Sequence, residues 1–355
     1  MRVLAWLGAV AGVFLWTASF AAAPVGGTVV ETHLVSEVLK SNRIGIEPRR
    51  SVMVYLPPGY DRSDKSYPVL YHFHSIFWSN RQMFERDHVK TVFDRAIANG
   101  NIGGFILVAA DFTTPHVGTF YGNGPPTGRW MDFISGELVP YIDRTYRTLP
   151  AREGRGLSGD FLGGYAALKL AMLHPEQFSV VYALHPVGTG KGLIPNASRL
   201  DWRKMNEAKS WDDLAGDGYA QVFMAMAQGY LPNPDRPPFY CDLMFDLKDD
   251  KLVMNLENVE RLRAGFSLDS LLREHIADLK RMTAIAFDWG RYDPNQDHVY
   301  GNQSLTRELD SVGIEHFAEE YRGNQYDQNW IEHGRVEDRM LPFFARHLKF
   351  DAPGE

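Results

Sequence analysis

With 355 residues, 45% of them hydrophobic and 13% aromatic, the chain can bury a large core and has the composition of a folded protein, not a disordered one. Its formal net charge of -7, with Lys and Arg scattered and no basic stripe, argues against nucleic acid as a partner. One cysteine, Cys241, excludes an intramolecular disulfide and any cysteine cluster for zinc or iron–sulfur.

In chain order, the first predicted element is a signal peptide over residues 1–21. Met1-Arg2 gives a positive start, residues 3–20 are almost wholly apolar, and Ser19 and Ala21 supply small residues at -3 and -1. The mature chain should then run from 22 to 355 and be exported, periplasmic or secreted. An uncleaved N-terminal anchor is the alternative, because the run approaches the minimum membrane span. No later run could cross a bilayer, so no membrane contact is expected beyond this segment.

Short apolar runs then alternate with helical patterns, which predicts a mainly parallel central sheet flanked by helices. Strands are expected at 51–56, 69–73, 105–110, 180–184, 283–287 and 316–321. Polar residues follow several of them: His74, Asp111, His185 and Asp288. In open α/β sheets, ligands sit outside the carboxyl ends of strands. Residues 187–282 break the pattern, with no strand run and many aromatics, and read as a helical cap insertion. Those aromatics either pack the cap's own core or line a pocket. Within it, Pro232 to Pro238 reads as a rigid loop.

The stretch from Arg155 to Leu168 follows a strand pattern and opens a helix that stops at His174-Pro175. Gly159 and Gly163 frame Phe161 as the glycines of G-x-S-x-G frame their serine. That motif makes a sharp strand-to-helix turn with the central side chain exposed over the sheet.

Here the residues carry a likeness. The elbow, Arg50-Ser-Val-Met-Val-Tyr-Leu-Pro-Pro-Gly-Tyr60, Tyr67-Pro-Val-Leu-Tyr71, Thr127-Gly-Arg-Trp130-Met-Asp-Phe133, Glu137-Leu-Val-Pro-Tyr-Ile-Asp143 and His174-Pro175-Glu-Gln-Phe178 resemble the "putative esterase" α/β-hydrolases. That group includes S-formylglutathione hydrolases, feruloyl and enterochelin esterases and mycolyltransferases. The likeness runs from about Val30 to the C-terminus and is weakest in the cap. It implies an α/β-hydrolase fold with a Ser-His-Asp triad. Phe161 occupies the serine position, and Gln325, in Tyr321-Arg-Gly323-Asn-Gln325, occupies the histidine position. Asp293, in Gly290-Arg-Tyr-Asp293, occupies the acid position. The backbone N–H of Leu162 and of the loop at Ser75 and Ile76 would form the oxyanion hole.

A phenyl ring cannot attack an acyl carbon, and a neutral amide cannot accept a proton near pH 7. Two rescues present themselves. Ser158, in Gly156-Leu-Ser158-Gly-Asp160, is a rival nucleophile, although its frame lacks the second glycine. Alternatively His74, His116, Asp160, His185 and His333, with Asp111 or Asp293, could make an acid–base or metal site. Tyr121 and Trp130 would make the crevice aromatic. No metal or cofactor is called for by the main reading. Three functions follow: a protein without Ser-His-Asp chemistry that binds a small aromatic or acyl-bearing ligand, a carboxylic-ester hydrolase using a displaced residue such as Ser158, and a lyase- or isomerase-type enzyme using the His and Asp groups.

Overall fold

A computed structural model describes residues 26–190 and 198–350, so the expected signal peptide lies outside the described residues. The strands in chain order are β1 (Thr28–Val35), β2 (Arg49–Leu56), β3 (Val69–Phe73), β4 (Ile106–Ala110), β5 (Asn123–Gly124), β6 (Gly128–Arg129), β7 (Arg155–Asp160), β8 (Val180–Leu184), β9 (Phe245–Lys248), β10 (Lys251–Met254), β11 (Ala284–Gly290) and β12 (Phe317–Tyr321). Eight of them form one sheet in the order β1-β2-β4-β3-β7-β8-β11-β12. The first two pairings are antiparallel, and all from β4 to β12 are parallel.

Every residue of β3, β4, β7, β8 and β11 is buried, as strands covered on both faces require. Alternate side chains serve different layers. Val69, Tyr71 and Phe73 join one apolar cluster, together with α3 (Val139–Thr145) and α4 (Leu162–Leu173). Leu70 joins another, where α2 (Val89–Ala98) and, later in the chain, the helix at Leu341–His347 pack. The preceding helix, α1 (Asn80–Arg86), starts at a capping box between Ser79 and Gln82.

Between β8 and β11 lie α5 (Trp202–Glu207), α6 (Gly218–Tyr230), α7 (Leu256–Phe266) and α8 (Leu268–Glu274). The same region holds a two-stranded hairpin of β9 and β10, against the expectation of no strand. Its turn residues Asp249 and Asp250 both have positive φ, 48° and 61°, as a tight two-residue hairpin needs, yet carry no glycine to advertise it. All four residues of β10 are exposed, so no burial alternation marks them either. After β11 come α9 (Gln296–Ser311) and α10 (Leu341–His347).

Lys169 of α4 ties this inserted region to the core. Its amine donates to Gly265 O at 2.8 Å and to the Tyr230 hydroxyl at 3.1 Å, and burial pushes its pKa down to about 7. No helix among the described residues is long and apolar enough to cross a membrane.

Candidate active site

At the carboxyl end of β7 the chain bends through Phe161, at φ 57° and ψ -109°, directly into α4. A bulky residue in this region costs roughly 1–3 kcal/mol and persists only where its surroundings over-determine it. Two constraints do so. The Phe161 N–H donates to Leu184 O at 2.8 Å, and the helix start is pressed against β3. A Cβ added at Gly163 would lie 1.9 Å from Phe73 O, and one added at Gly159 would lie 2.4 Å from the Gly163 carbonyl carbon. Only glycine fits either position, so the sharp bend is written into the sequence.

The Phe161 ring meets three side chains. It stands edge to face on His298, centroids 5.0 Å apart, stacks on His185 at 5.9 Å, and touches Tyr326 at 5.5 Å. Both histidines converge on one carboxylate oxygen. His298 Nδ1 and His185 Nε2 each lie 2.8 Å from Asp293 Oδ2, while Oδ1 accepts the Asn295 N–H at 2.8 Å. Although burial opposes ionisation, the donations from His185 and His298 hold the Asp293 carboxyl well below the usual range. It is therefore an anion that can only accept.

The proton positions follow. His185 Nδ1 accepts the Gly290 N–H at 2.9 Å, so its proton sits on Nε2. His298 must likewise donate through Nδ1, which leaves the Nε2 lone pair facing outward. This Nε2 makes no hydrogen bond among the described residues, and Asp297 Oδ2 lies 3.7 Å from it. His185, Asp293 and His298 are close enough to suggest a metal site. The tautomer argues against it: His185 Nε2 could ligate only by losing its proton while Nδ1 stays an acceptor, which would need an imidazolate.

His298 opens onto a cavity of about 510 Å³. Phe161 forms part of its wall, with Phe120, Val222, Phe223, Met226 and Phe266. Leu162 and Ile76, two of the three expected oxyanion-hole residues, also line it. Leu162 is the first residue of α4, where the N–H has no partner within the helix. Thr189, buried in the wall, has a hydroxyl without a hydrogen-bond partner among the described residues.

The other sequence candidates lie elsewhere. His74, Ser75, Asp160 and Gln325 line a second crevice of about 880 Å³, not the cavity over Phe161. His74 uses both ring nitrogens internally, with Nδ1 at 2.9 Å from Ser75 O and Nε2 at 2.9 Å from the Phe112 N–H, and burial lowers its pKa to about 4. Tyr121 and Trp130 are core residues with 1% and 2% exposure, and the Tyr121 hydroxyl donates to His74 O at 2.6 Å. His116 stacks on Trp211 at 4.4 Å and accepts from Gln228 Nε2 at 2.9 Å, a contact with the inserted region. Asp111 pairs with Arg50 at 2.9 Å, and His333 is exposed. Of the proposed histidine–aspartate combinations, His185 is brought to hydrogen-bonding distance of Asp293, while His74 Nε2 lies 3.9 Å from Asp111 Oδ1 and is already occupied by the Phe112 N–H.

Ser158 sits in a serine–histidine–aspartate array, with Oγ 2.9 Å from His72 Nδ1 and His72 Nε2 3.3 Å from Asp160 Oδ2. The serine is nonetheless fully buried and lines neither cavity, which corrects the reading of it as an accessible nucleophile. Asp160 is further held by Trp330 Nε1 at 2.9 Å and Asn329 Nδ2 at 2.8 Å. Successive strand residues point to opposite faces, so Ser158 and Asp160 share a face; Asp160 reaches the second crevice there, while the Ser158 hydroxyl lines neither of the two cavities.

His298 was missed by the sequence reading. Its signal was present: it lies in the first turn of α9, five residues after Asp293, so the helix start folds back over the acid loop. The family comparison drew attention instead to Gln325, whose neighbour Tyr326 is the loop residue that reaches Phe161.

The model of the family described as "Putative esterase" matches residues 41–231. Among curated relatives, "Uncharacterized protein YjcH" of Bacillus subtilis is 26% identical over 46% of this chain and 64% of its own length. "Esterase MT1326" of Mycobacterium tuberculosis is 31% identical over 39% of this chain and 29% of its own length. The chain thus spans less than two thirds of either relative. Among solved structures, a ferulic acid esterase superposes with a TM-score of 0.62 at 21% identity, covering 91% of this chain and 100% of the other, a likeness of fold.

Proposed function

The chain belongs to the "Putative esterase" family, whose model spans more than half of it, and has the α/β-hydrolase fold; from that premise we propose that it has left the serine acyl-enzyme route and holds a small, apolar, aromatic- or acyl-bearing molecule in the cavity over Phe161. The observation that carries this reading is the Phe161 ring at the strained bend, in the wall of an apolar cavity of about 510 Å³. A volume of this size, apolar with a few polar groups, suits a small organic ligand. Without a hydroxyl at the bend there is no group there to form an acyl intermediate.

Calorimetric titration with methyl ferulate tests it. Saturable binding without release of ferulate is expected, with at least a tenfold loss of affinity in Met226→Arg, which puts a charge into the cavity wall. Absence of binding, or hydrolysis that disappears in Ser158→Ala, would overturn the reading. Export belongs to the same proposal, on the strength of the apolar run behind Met1-Arg2. N-terminal sequencing of the protein recovered outside the cytoplasm should begin at Ala22, and a chain that begins at Met1 would refute cleavage.

A further inference from the structure

We propose that His298, held by Asp293, is a general base that removes a proton from carbon next to a carbonyl group of the molecule in this cavity, so that the protein catalyses proton transfer of the isomerase or lyase type; this rests on the cavity being the ligand site.

The proton inventory is the starting point. With Nδ1–H committed to Asp293 at 2.8 Å, the free lone pair of His298 is on Nε2, in a residue that lines the cavity. In a serine hydrolase that lone pair would activate a hydroxyl. Here no hydroxyl among the described residues hydrogen-bonds to it, and the ring at the bend stands edge to face against it. The base is therefore oriented and, among the described residues, has no hydroxyl proton to take. The proton it takes is then one carried by the occupant of the cavity.

The wall that His298 shares with Phe161 is mostly apolar, with Phe120, Val222, Met226 and Phe266, and its polar groups include Thr189, Asn295 and Asp297; an ordered water needs two to four such polar partners. A carbon acid needs no such shell, because its acidic C–H is delivered by apolar contacts. The other requirements of the step also lie in the wall. Leu162 places the start of a 12-residue helix there, where backbone N–H groups and the helix dipole favour an oxygen that gains negative charge. The imidazolium formed would sit between Asp293 at 2.8 Å and Asp297 at 3.7 Å.

In the step itself the C–H bond breaks, the proton goes to His298 Nε2, and the electron pair moves through the carbonyl group to leave an enolate oxygen near the helix start. Return of the proton to the same carbon exchanges hydrogen, return to another carbon of the conjugated system isomerises, and loss of a group from the β-carbon is elimination. No oxidant, metal or cofactor is needed for the balance. Asp293 is a positioning residue, since it touches the imidazole and not the ligand.

The experiment is deuterium incorporation into phenylacetone, whose CH₂ lies between a ring and a carbonyl, followed by proton NMR in D₂O, with saturation-transfer NMR on the same samples reporting binding. General-base catalysis is worth about 10²-fold or more, so wild type should exchange at least about 10² faster than His298→Ala. Met226→Arg, which blocks the cavity and leaves the dyad in place, should also lose the exchange, which keeps the test decisive if the alanine variant folds poorly. Phenylacetone that binds but exchanges at the protein-free rate would overturn the general-base role while leaving the ligand-binding reading standing. Failure of phenylacetone to bind at all would count against both.

Discussion

Replacing Phe161 by Ser restores a hydroxyl at the bend, and the structure says what should follow. The ring is half-buried against His185, His298 and Tyr326. Its removal should therefore cost about half of a fully buried Phe→Ala change, roughly 1.5–2.5 kcal/mol. The backbone constraint at φ 57° is set by Gly159, Gly163 and Leu184 and does not depend on the side chain, so the variant should fold. The histidine whose ring packs 5.0 Å from Phe161 already carries its acid partner and a free Nε2. Hydrolysis of p-nitrophenyl acetate and labelling by a fluorophosphonate should thus appear in Phe161→Ser alone. The gain should be at least about 10²-fold in kcat/KM, or about 2.7 kcal/mol of barrier, well short of an evolved triad because the geometry is not tuned for it. Adding His298→Ala should remove the gain, and adding Gln325→His should contribute little. Activity that appears only in the Phe161→Ser, Gln325→His double variant would refute the assignment of the base to His298.

Other perturbations follow from the same geometry. Ser158→Ala should leave ligand binding and probe labelling unchanged while lowering stability to urea by about 1–3 kcal/mol, because His72 Nδ1 loses its buried partner; a change in labelling would show the serine to be accessible. Gly163→Ala forces a Cβ onto Phe73 O, backbone that cannot swing aside, so the variant should be recovered unfolded or with a cost above about 3 kcal/mol; near-native stability would contradict the close approach of α4 to β3. Lys169→Met tests the buried amine. Its folded pKa of about 7 lies below the unfolded value of 10.5, so the unfolded chain binds more protons between those values and stability rises with pH across that window. The wild type should gain on the methionine variant by up to about 1.4 kcal/mol per pH unit there, measured by urea unfolding at pH 7 and 9.5; parallel curves would mean the amine is not desolvated in the fold.

The strands that carry the site were legible because they are buried on both faces. The runs at 105–110 and 180–184 have no polar interruption to confuse with a helix face, and that at 69–73 has only His72; they correspond to β4, β8 and β3. β1 was not readable: as an edge strand it has no fully buried residue, its half-buried Val30 and Leu34 alternate with polar or exposed positions, and its pairing to β2 sets its register. The hairpin of β9 and β10 was hidden for the same reason, with a turn made by two aspartates. At the site, the position of Phe161 could be read from its flanking glycines, since close backbone approach excludes every other residue. What spacing cannot encode is which face of a strand or loop a side chain serves. That is why His74 and Gln325 fell in the second crevice, Tyr121 and Trp130 in the core, and Ser158 in a closed array with His72. His298 escaped notice because a family pattern pointed to the loop after β12, while the helix after β11 supplied the imidazole.

Intact-protein mass spectrometry of the wild type after prolonged exposure to a fluorophosphonate tests the central claim most directly. An unchanged mass is expected, with Phe161→Ser gaining one phosphonyl group under the same conditions. A stoichiometric adduct on any serine of the wild type would show that this chain still runs on a nucleophilic hydroxyl.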